Sequence, residues 1–191
     1  MSICYLLVFF IASFLFLGVS GMLAMWIDRK LTARLQFRVG PPWYQNFADF
    51  VKLTGKELLI PAKANIFVFI FAPVLAVLAA TVAGMIIFLV TKNGIILPAD
   101  LILVVYLLTI PSLAIILGGS VSGNVLAAVG ISREIKLLLG YELPFICALI
   151  IPALQSGSTT SLIEILRYQH AHGMVIRSVS GVIGFIAGLF A

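Results

Sequence analysis

Two glutamates within a strongly apolar segment are the residues best suited to chemistry in this sequence. Glu134 and Glu142 lie eight residues apart in REIKLLLGYELP, with Leu138 midway between them. Eight residues of helix rotate a side chain by about 80° and raise it by roughly 12 Å, so both carboxylates can border one polar track. A carboxylate inside a membrane costs about 2.5–3.5 kcal/mol, which makes a functional role the first hypothesis. The pattern predicts a proton relay through Glu134 and Glu142; the alternative is a structural carboxylate held by Tyr141 or by a neighbouring subunit.

The rest of the sequence does not predict a catalytic residue, a metal site or a cofactor bound by this chain. Cys4 and Cys147 lie in apolar runs without a partner at metal-ligand spacing, which is typical of small buried hydrophobic residues. His170 and His172 form an isolated H-x-H pair, and a solvated loop explains them better than a metal does. The net charge of +5 is explained by membrane topology and anionic lipid headgroups, so nucleic-acid binding is not predicted.

The elements that must position the glutamates are membrane-spanning helices. Of the 191 residues, 62% are hydrophobic and 10% are charged, and the mean hydropathy is +1.21. Apolar runs long enough to cross hydrocarbon lie at about 3–26, 66–91, 99–119 and 135–155, and a fifth begins near Met174. These runs predict an all-α, polytopic bundle of about five transmembrane helices, forming a single membrane domain over residues 1–191.

The fifth apolar run is short, with only 14 residues after Arg177. At 1.5 Å per residue they reach roughly 21 Å, which is less than the thickness of the hydrocarbon core. We therefore expect the chain to be the N-terminal part of a longer subunit, whose remainder is absent or lies on another chain.

The distribution of Lys and Arg predicts the orientation in the membrane. With the N-terminus outside, the inner loops hold Arg29, Lys30, Arg34, Arg38, Lys52, Lys56, Lys63, Arg133 and Lys136. The outer loops then hold only Lys92, Arg167 and Arg177. Because cytoplasmic loops carry the excess of basic residues, the chain is predicted to be a multi-pass protein of the cytoplasmic (inner) cell membrane.

A charged insert separates the first two apolar runs, from Asp28 to Asn65. Its apolar positions recur with helical spacing at Phe47, Phe50, Val51, Thr54 and Leu58. This periodicity predicts a short amphipathic helix on the cytoplasmic surface, preceded by the break at Gly40 to Pro42 and stopped by Pro61. Asp49 and Glu57 are expected to share this helix with Lys52 and Lys56 as exposed ion pairs. The alternative is that the segment is an interfacial helix that does no more than anchor the protein.

Three separated motifs resemble one known family. They are DRK from Asp28 to Lys30, RVGPPWYQNFADFVKLTGKE from Arg38 to Glu57, and SGNVLAAVGISREIKLLLGYELP from Ser122 to Pro144. They resemble the NADH dehydrogenase subunit 1 (NuoH) family of complex I, and more closely its counterpart in membrane-bound, energy-converting [NiFe] hydrogenases and their sulfur-reducing relatives. Asp28 stands where complex I members usually have Glu. Members of the family usually have about eight transmembrane helices and an acidic loop after the fifth. This sequence contains only the first half of that arrangement and lacks the acidic loop.

This resemblance implies a membrane anchor and coupling subunit of a multi-subunit oxidoreductase, without a redox centre of its own. It would dock a peripheral hydrogenase module and link electron transfer to proton or sodium translocation. The implied partners are hydrogenase-like and iron–sulfur subunits that carry iron–sulfur clusters and a [NiFe] site, antiporter-like membrane subunits, and membrane lipids. The implied docking and coupling loop contains Asp28, Arg29, Arg38, Trp43, Tyr44, Asp49, Lys52, Lys56 and Glu57.

Two other functions remain open. The chain could be the quinone-reactive subunit of an NADH dehydrogenase-like complex, with quinone entering near the first span and the amphipathic helix. It could also be a structural membrane anchor with no part in ion transfer.

Overall fold

A computed structural model describes residues 3–62, 64–93 and 100–190, and every regular element in those ranges is helical. The elements are α1 (Ile3–Leu35), α2 (Gln45–Thr54), α3 (Ile66–Asn93), α4 (Asp100–Val121), α5 (Val125–Gln155), α6 (Leu162–His172), a 3₁₀ turn (Val175–Arg177) and α7 (Val179–Phe190). By length and composition, α1, α3, α4 and α5 can each cross a membrane. The prediction of an all-α, polytopic helix bundle is therefore confirmed. Lys63 and the side chain of Lys92, two of the predicted topology signals, lie outside the described residues.

The chain divides into two compact units, Met1–Leu59 and Ile60–Ala191. The first contains α1 and α2, and the second contains α3 to α7.

Helix α1 is longer than the apolar run that predicted it. It has 33 residues, about 50 Å at 1.5 Å per residue, and continues through the charged DRKLTARL sequence. The residues after position 26 favour a helix and contain neither Gly nor Pro before Gly40. The helix ends where Phe37 adopts a φ of 55° and Arg38 N–H donates to Ala33 O at 2.8 Å. Together with the Phe37 N–H bond to Arg34 O, this is a Schellman end.

Helix α2 is amphipathic, as predicted, but shorter. It ends at Thr54, with Gly55 at the C-cap, whereas the prediction extended it towards Pro61. Phe50 and Val51 are 54% and 69% exposed, so this part of its apolar side is not buried by the described residues. Such a face suits lipid or a partner subunit.

In the second unit, α3 and α4 pack closely through small residues. Ala72, Ala79 and Ala83 of α3 are 3%, 5% and 1% exposed, and Ala114 of α4 is 2% exposed. A Cβ added at Gly118 of α4 would lie 3.4 Å from Ala72 Cβ. Small side chains allow two helix backbones to approach each other within a membrane.

Helix α6 covers one end of this pair. Its Ile163 is buried in a cluster with Ile86, Val90 and Val104. His170 and His172 belong to the last turn of α6, so the expected solvated loop is helical at these positions.

Helix α5 begins ten residues before its predicted apolar span. The side chain of Asn124 accepts a hydrogen bond from Leu126 N at 3.0 Å and so caps the first turn. Because the helix begins at Val125, Glu134 and Glu142 lie on one continuous element.

Helix α7 packs antiparallel against the end of α5 through glycines. A Cβ added at Gly184 would collide with Ile151 Cδ1, and one at Gly188 would lie 3.1 Å from Ala148 Cβ. The amide of Gln155 also donates to Ser178 Oγ at 2.8 Å and to Ser180 Oγ at 3.0 Å, at the start of α7. The two glycines thus allow the backbones to approach, as the G-x-x-x-G motif is known to do.

Substituting Gly184 with leucine is expected to separate α5 from α7 and to destabilise the protein. Overpacking of this kind costs about 1–3 kcal/mol. At roughly 2–4 °C per kcal/mol, the thermal unfolding midpoint in detergent should fall by several degrees. Gly18→Leu is the matched control, because nothing lies within 4 Å of an added Cβ at Gly18. Equal losses in both variants would contradict the glycine contact.

Candidate functional site

The first candidate site is the loop between α1 and α2, which folds back on α1. Trp26 Nε1 donates a hydrogen bond to Pro41 O at 3.1 Å. A Cβ added at Gly40 would lie 3.1 Å from Lys30 Cα, so the close approach of the two backbones favours glycine there. The Gly–Pro–Pro break therefore positions the loop against α1 instead of releasing it.

A buried amide joins α2 to α1. Asn46 is 8% exposed, and its Nδ2 donates to Met22 O at 2.7 Å. Its Oδ1 accepts a hydrogen bond from Arg29 Nη1 at 3.1 Å. We call these three residues the Asn46 clasp, because the single side chain satisfies one charged donor and one backbone acceptor of α1.

Asp49 extends the clasp at its exposed edge. Arg29 Nη1 lies 3.9 Å from Asp49 Oδ2, and Gln45 Nε2 donates to Asp49 Oδ1 at 3.1 Å. Both ionic side chains are nearly half exposed, at 47% and 45%, so the pair contributes at most about 1 kcal/mol.

The predicted pairing of Asp49 and Glu57 with lysines was wrong. Asp49 pairs with Arg29 because its face of α2 is turned towards α1. Lys56 and Glu57 lie beyond the end of α2, so they are not part of a helical charge pattern.

The aromatic residues of the loop form a small exposed cluster. The ring of Trp43 lies 6.0 Å from that of Tyr44 and 6.4 Å from that of Phe47, both in edge-on geometry. Trp43 and Tyr44 remain 60% and 55% exposed. Aromatic rings of this kind suit a membrane interface or a protein interface.

The structure brings only part of the predicted loop set together. Arg29 and Asp49 meet in the extended clasp, and Trp43 and Tyr44 meet in the aromatic cluster. The side chains of the other members are exposed and form no hydrogen bond or ion pair within the described residues; they are Asp28, Arg38, Lys52, Lys56 and Glu57.

Two residues that position the loop were not predicted, namely Asn46 and Trp26. The sequence did contain a signal for Asn46, since Asn46 and Asp49 are three residues apart and share one helix face. That face is the polar one, and it binds α1 while the apolar face remains exposed.

The second candidate site is the pair of glutamates on α5. Both Glu134 and Glu142 are half-buried, and Leu138 between them is 7% exposed. Leu138 lies four residues from each glutamate, so this line of the helix faces the protein interior. The two carboxylates thus flank one buried position.

Glu142 lines a cavity of about 500 Å³ between α4 and α5. The lining is mostly aliphatic, including Val105, Ile146 and Leu149. Tyr106 and the polar residues Ser158, Thr159 and Thr160 complete the lining. Among the described residues that line this cavity, Glu142 alone carries a carboxylate.

Two polar groups lie close to Glu142 along α5, namely the Tyr141 hydroxyl and the Gly140 carbonyl. The Tyr141 hydroxyl and Ser112 Oγ are 2.5 Å apart, which ties α5 to α4. Pro144 has no N–H to donate to the carbonyl of Gly140, and nothing lies within 4 Å of an added Cβ at Gly140. The Gly140 carbonyl, half a turn from Glu142, therefore lacks its usual helical N–H donor.

Possible metal ligands do not converge in the described part of the chain, where groups of three or more His, Cys, Asp or Glu side chains are absent. His172 stacks on Tyr168 with ring centres 4.3 Å apart. Cys4 and Cys147 are exposed on their helices instead of buried as expected, because α1 and α5 turn these faces outward.

The helices and these two groups of residues define an all-α, polytopic membrane protein with a structured surface loop. A family model described as NADH dehydrogenase matches residues 6–191, and the chain belongs to this family. The resemblance of the loop and the α5 sequence to the subunit 1 (NuoH) family is thereby confirmed.

Individual relatives agree with the family assignment. The chain is 38% identical over 183 residues to the H subunit of NADH-quinone oxidoreductase from Thermomicrobium roseum, a match that covers 86% of this chain and 53% of the relative. It is 31% identical over 182 residues to the protein of the same name from Carboxydothermus hydrogenoformans, covering 90% and 51%. The chain thus spans about half the length of the curated relatives it matches.

A solved structure shares the fold. It is a chain of the membrane-bound sulfane sulfur reductase (MBS), an archaeal respiratory membrane complex. The TM-score is 0.74 at 32% identity, and the match covers 95% of this chain and 59% of that one.

Proposed function

We propose that this chain is the membrane anchor and coupling subunit of a multi-subunit respiratory oxidoreductase. It would contain no redox centre, hold a peripheral redox module at the loop between α1 and α2, and move protons through Glu134 and Glu142. The observation that carries the proposal is the half-buried pair of carboxylates on α5, one of which lines an apolar cavity. The names of the relatives, an NADH-quinone oxidoreductase and a respiratory sulfur reductase, support the class of complex.

The loop is the proposed docking surface because it is both positioned and exposed. The Asn46 clasp and the Trp26 bond to Pro41 hold it against α1. Meanwhile Trp43 and Tyr44 remain more than half exposed, and the charged members of the set outside the extended clasp have no side-chain partner in the described chain. A preorganised surface binds with a smaller entropy cost than a mobile one.

The module bound there is proposed to be hydrogenase-like, with iron–sulfur clusters and a [NiFe] site in partner subunits. Antiporter-like membrane subunits would then move protons or sodium ions. In this arrangement the protein lies in the cytoplasmic membrane with its N-terminus outside and the loop on the cytoplasmic side, as the nine-to-three distribution of basic residues favours.

The test is to purify the native complex in mild detergent and to identify its subunits and metals. Mass spectrometry is expected to find hydrogenase-like and antiporter-like subunits, and elemental analysis is expected to find nickel with iron. Iron without nickel would indicate that the peripheral module reduces sulfur or quinone and is not a hydrogenase. The absence of any redox subunit from a stable preparation would overturn the proposed function.

A quinone-reactive role is the second candidate, favoured by the name of the relatives and by the exposed apolar side of α2. A photoreactive quinone analogue would then label α2 near Phe50 or Val51, and excess unlabelled quinone would prevent labelling. If excess unlabelled quinone did not decrease the labelling, a specific quinone site would be excluded.

A further inference from the structure

A groove on the last turns of α1 is not used by the proposed coupling function. It has a volume of about 260 Å³ and is lined by Trp26, Ile27, Lys30, Leu31 and Arg34. Two of the five side chains are cationic and the other three are apolar. The groove therefore presents positive charge and hydrocarbon to the same ligand.

The Lys30 cation lies over the ring of Trp26. Its Nζ lies 4.7 Å from the centre of the Trp26 ring, a cation–π distance. The indole is itself held by its hydrogen bond to Pro41 O. Arg34 follows one turn later on the same side and is exposed.

Carboxylates of the first unit do not neutralise these two cations. Within its described residues the acidic side chains are Asp28, Asp49 and Glu57, and the ion pair found there joins Asp49 to Arg29. Asp28 is two residues from Lys30, a spacing that places the side chains on different helix faces. Within the described residues of the first unit, neither Lys30 nor Arg34 therefore has an ion-pair partner.

The apolar part of the groove continues along α1 towards its N-terminus. Ile27, Leu23 and Val19 follow one another at four-residue steps, and they are 50%, 38% and 48% exposed. Tryptophan at the cationic end is typical of the depth at which headgroups lie. An amphiphile could therefore place an anionic group at Lys30 and Arg34 and a hydrocarbon chain along this stripe.

We propose that this groove binds the phosphate headgroup of an anionic phospholipid, with Lys30 and Arg34 as the phosphate ligands. An acidic peptide of another subunit would match the charges but would not use the apolar stripe that runs into the membrane-spanning part of α1. The lipid would buttress α1 at the turn on which Gly40 and Pro41 pack.

In the test, the protein is extracted in detergent together with the subunits that co-purify with it. It is then incubated with phosphatidylglycerol or phosphatidylcholine vesicles, and the amounts of the two retained lipids are compared. Native mass spectrometry should show phosphatidylglycerol adducts at least fivefold lower in Lys30→Gln/Arg34→Gln than in the wild type. The single variant Arg34→Lys should retain most of the binding because it keeps the charge. Arg167→Gln, which removes an exposed charge on α6, should have no effect. Equal adducts in wild type and double variant, or equal retention of phosphatidylcholine, would overturn the proposal.

A cross-linking measurement leaves both cations intact and so does not depend on how the double variant folds. A photoreactive p-benzoylphenylalanine at Leu31 is expected to cross-link to phospholipid in native membranes. A cross-link to a protein subunit instead would show that the groove is an interface between chains, and the lipid site would be wrong.

Discussion

Glu142→Gln is expected to lower turnover-driven ion movement at least about tenfold while the complex still assembles. Glutamine has nearly the same volume as glutamate and keeps hydrogen-bonding groups, but it cannot bind and release a proton. The cavity beside Glu142 is mostly aliphatic, so another side chain in its lining cannot take over the carboxylate's role. Ion uptake by proteoliposomes, driven by the electron donor of the complex, measures the effect.

Assembly must be measured in the same preparations, because a lost complex would also stop ion movement. Native gel electrophoresis should show equal amounts of complex in wild type and variant. Glu164→Gln is the matched control, since Glu164 is an exposed glutamate on α6. It should transport at the wild-type rate. Undiminished transport by Glu142→Gln would leave the chain as a structural anchor.

The sequence predicted the spans but not the helix ends, for a physical reason. Hydropathy reports which residues prefer hydrocarbon, whereas a helix continues until its backbone hydrogen bonds are satisfied by a cap. Helix α1 therefore extends past its apolar run to the Schellman end at Phe37, and α5 begins early at the Asn124 cap. These extensions make Arg29 and Glu134 helical residues with fixed directions.

The candidate sites were predictable to different degrees. The glutamates of α5 depend on the spacing within one helix, and helical periodicity fixes that spacing. The position of the loop depends on which face of α2 contacts α1. Tertiary packing decides this, and the local sequence pattern does not. Amphipathic patterning predicted a surface helix but not which of its residues would contact α1, and the buried residue is Asn46. In a membrane an apolar face can remain exposed to lipid, so the polar groups that need partners decide the contact.

Asn46→Ala is expected to release the docking loop and to reduce the peripheral subunits retained by the membrane part at least fivefold. The substitution leaves the Arg29 guanidinium without its 3.1 Å acceptor and removes the donor to Met22 O. Each lost hydrogen bond contributes about 0.5–1.5 kcal/mol, and 1.4 kcal/mol corresponds to a tenfold change in an equilibrium. Quantitative mass spectrometry of the purified complex measures the ratio of peripheral to membrane subunits.

The neighbouring residue offers a close control for the Asn46 effect. Gln45 is also an amide on α2, but its side chain bonds Asp49 on the same helix and does not reach α1. Gln45→Ala should therefore retain the peripheral subunits, and Asn46→Asp should restore part of the binding because its carboxylate can still accept from Arg29. If Asn46→Ala retained a full complement of subunits, the clasp would not position the docking surface. If Gln45→Ala lost as many subunits as Asn46→Ala, the contact with α1 would not be the cause, because both effects would then arise within α2.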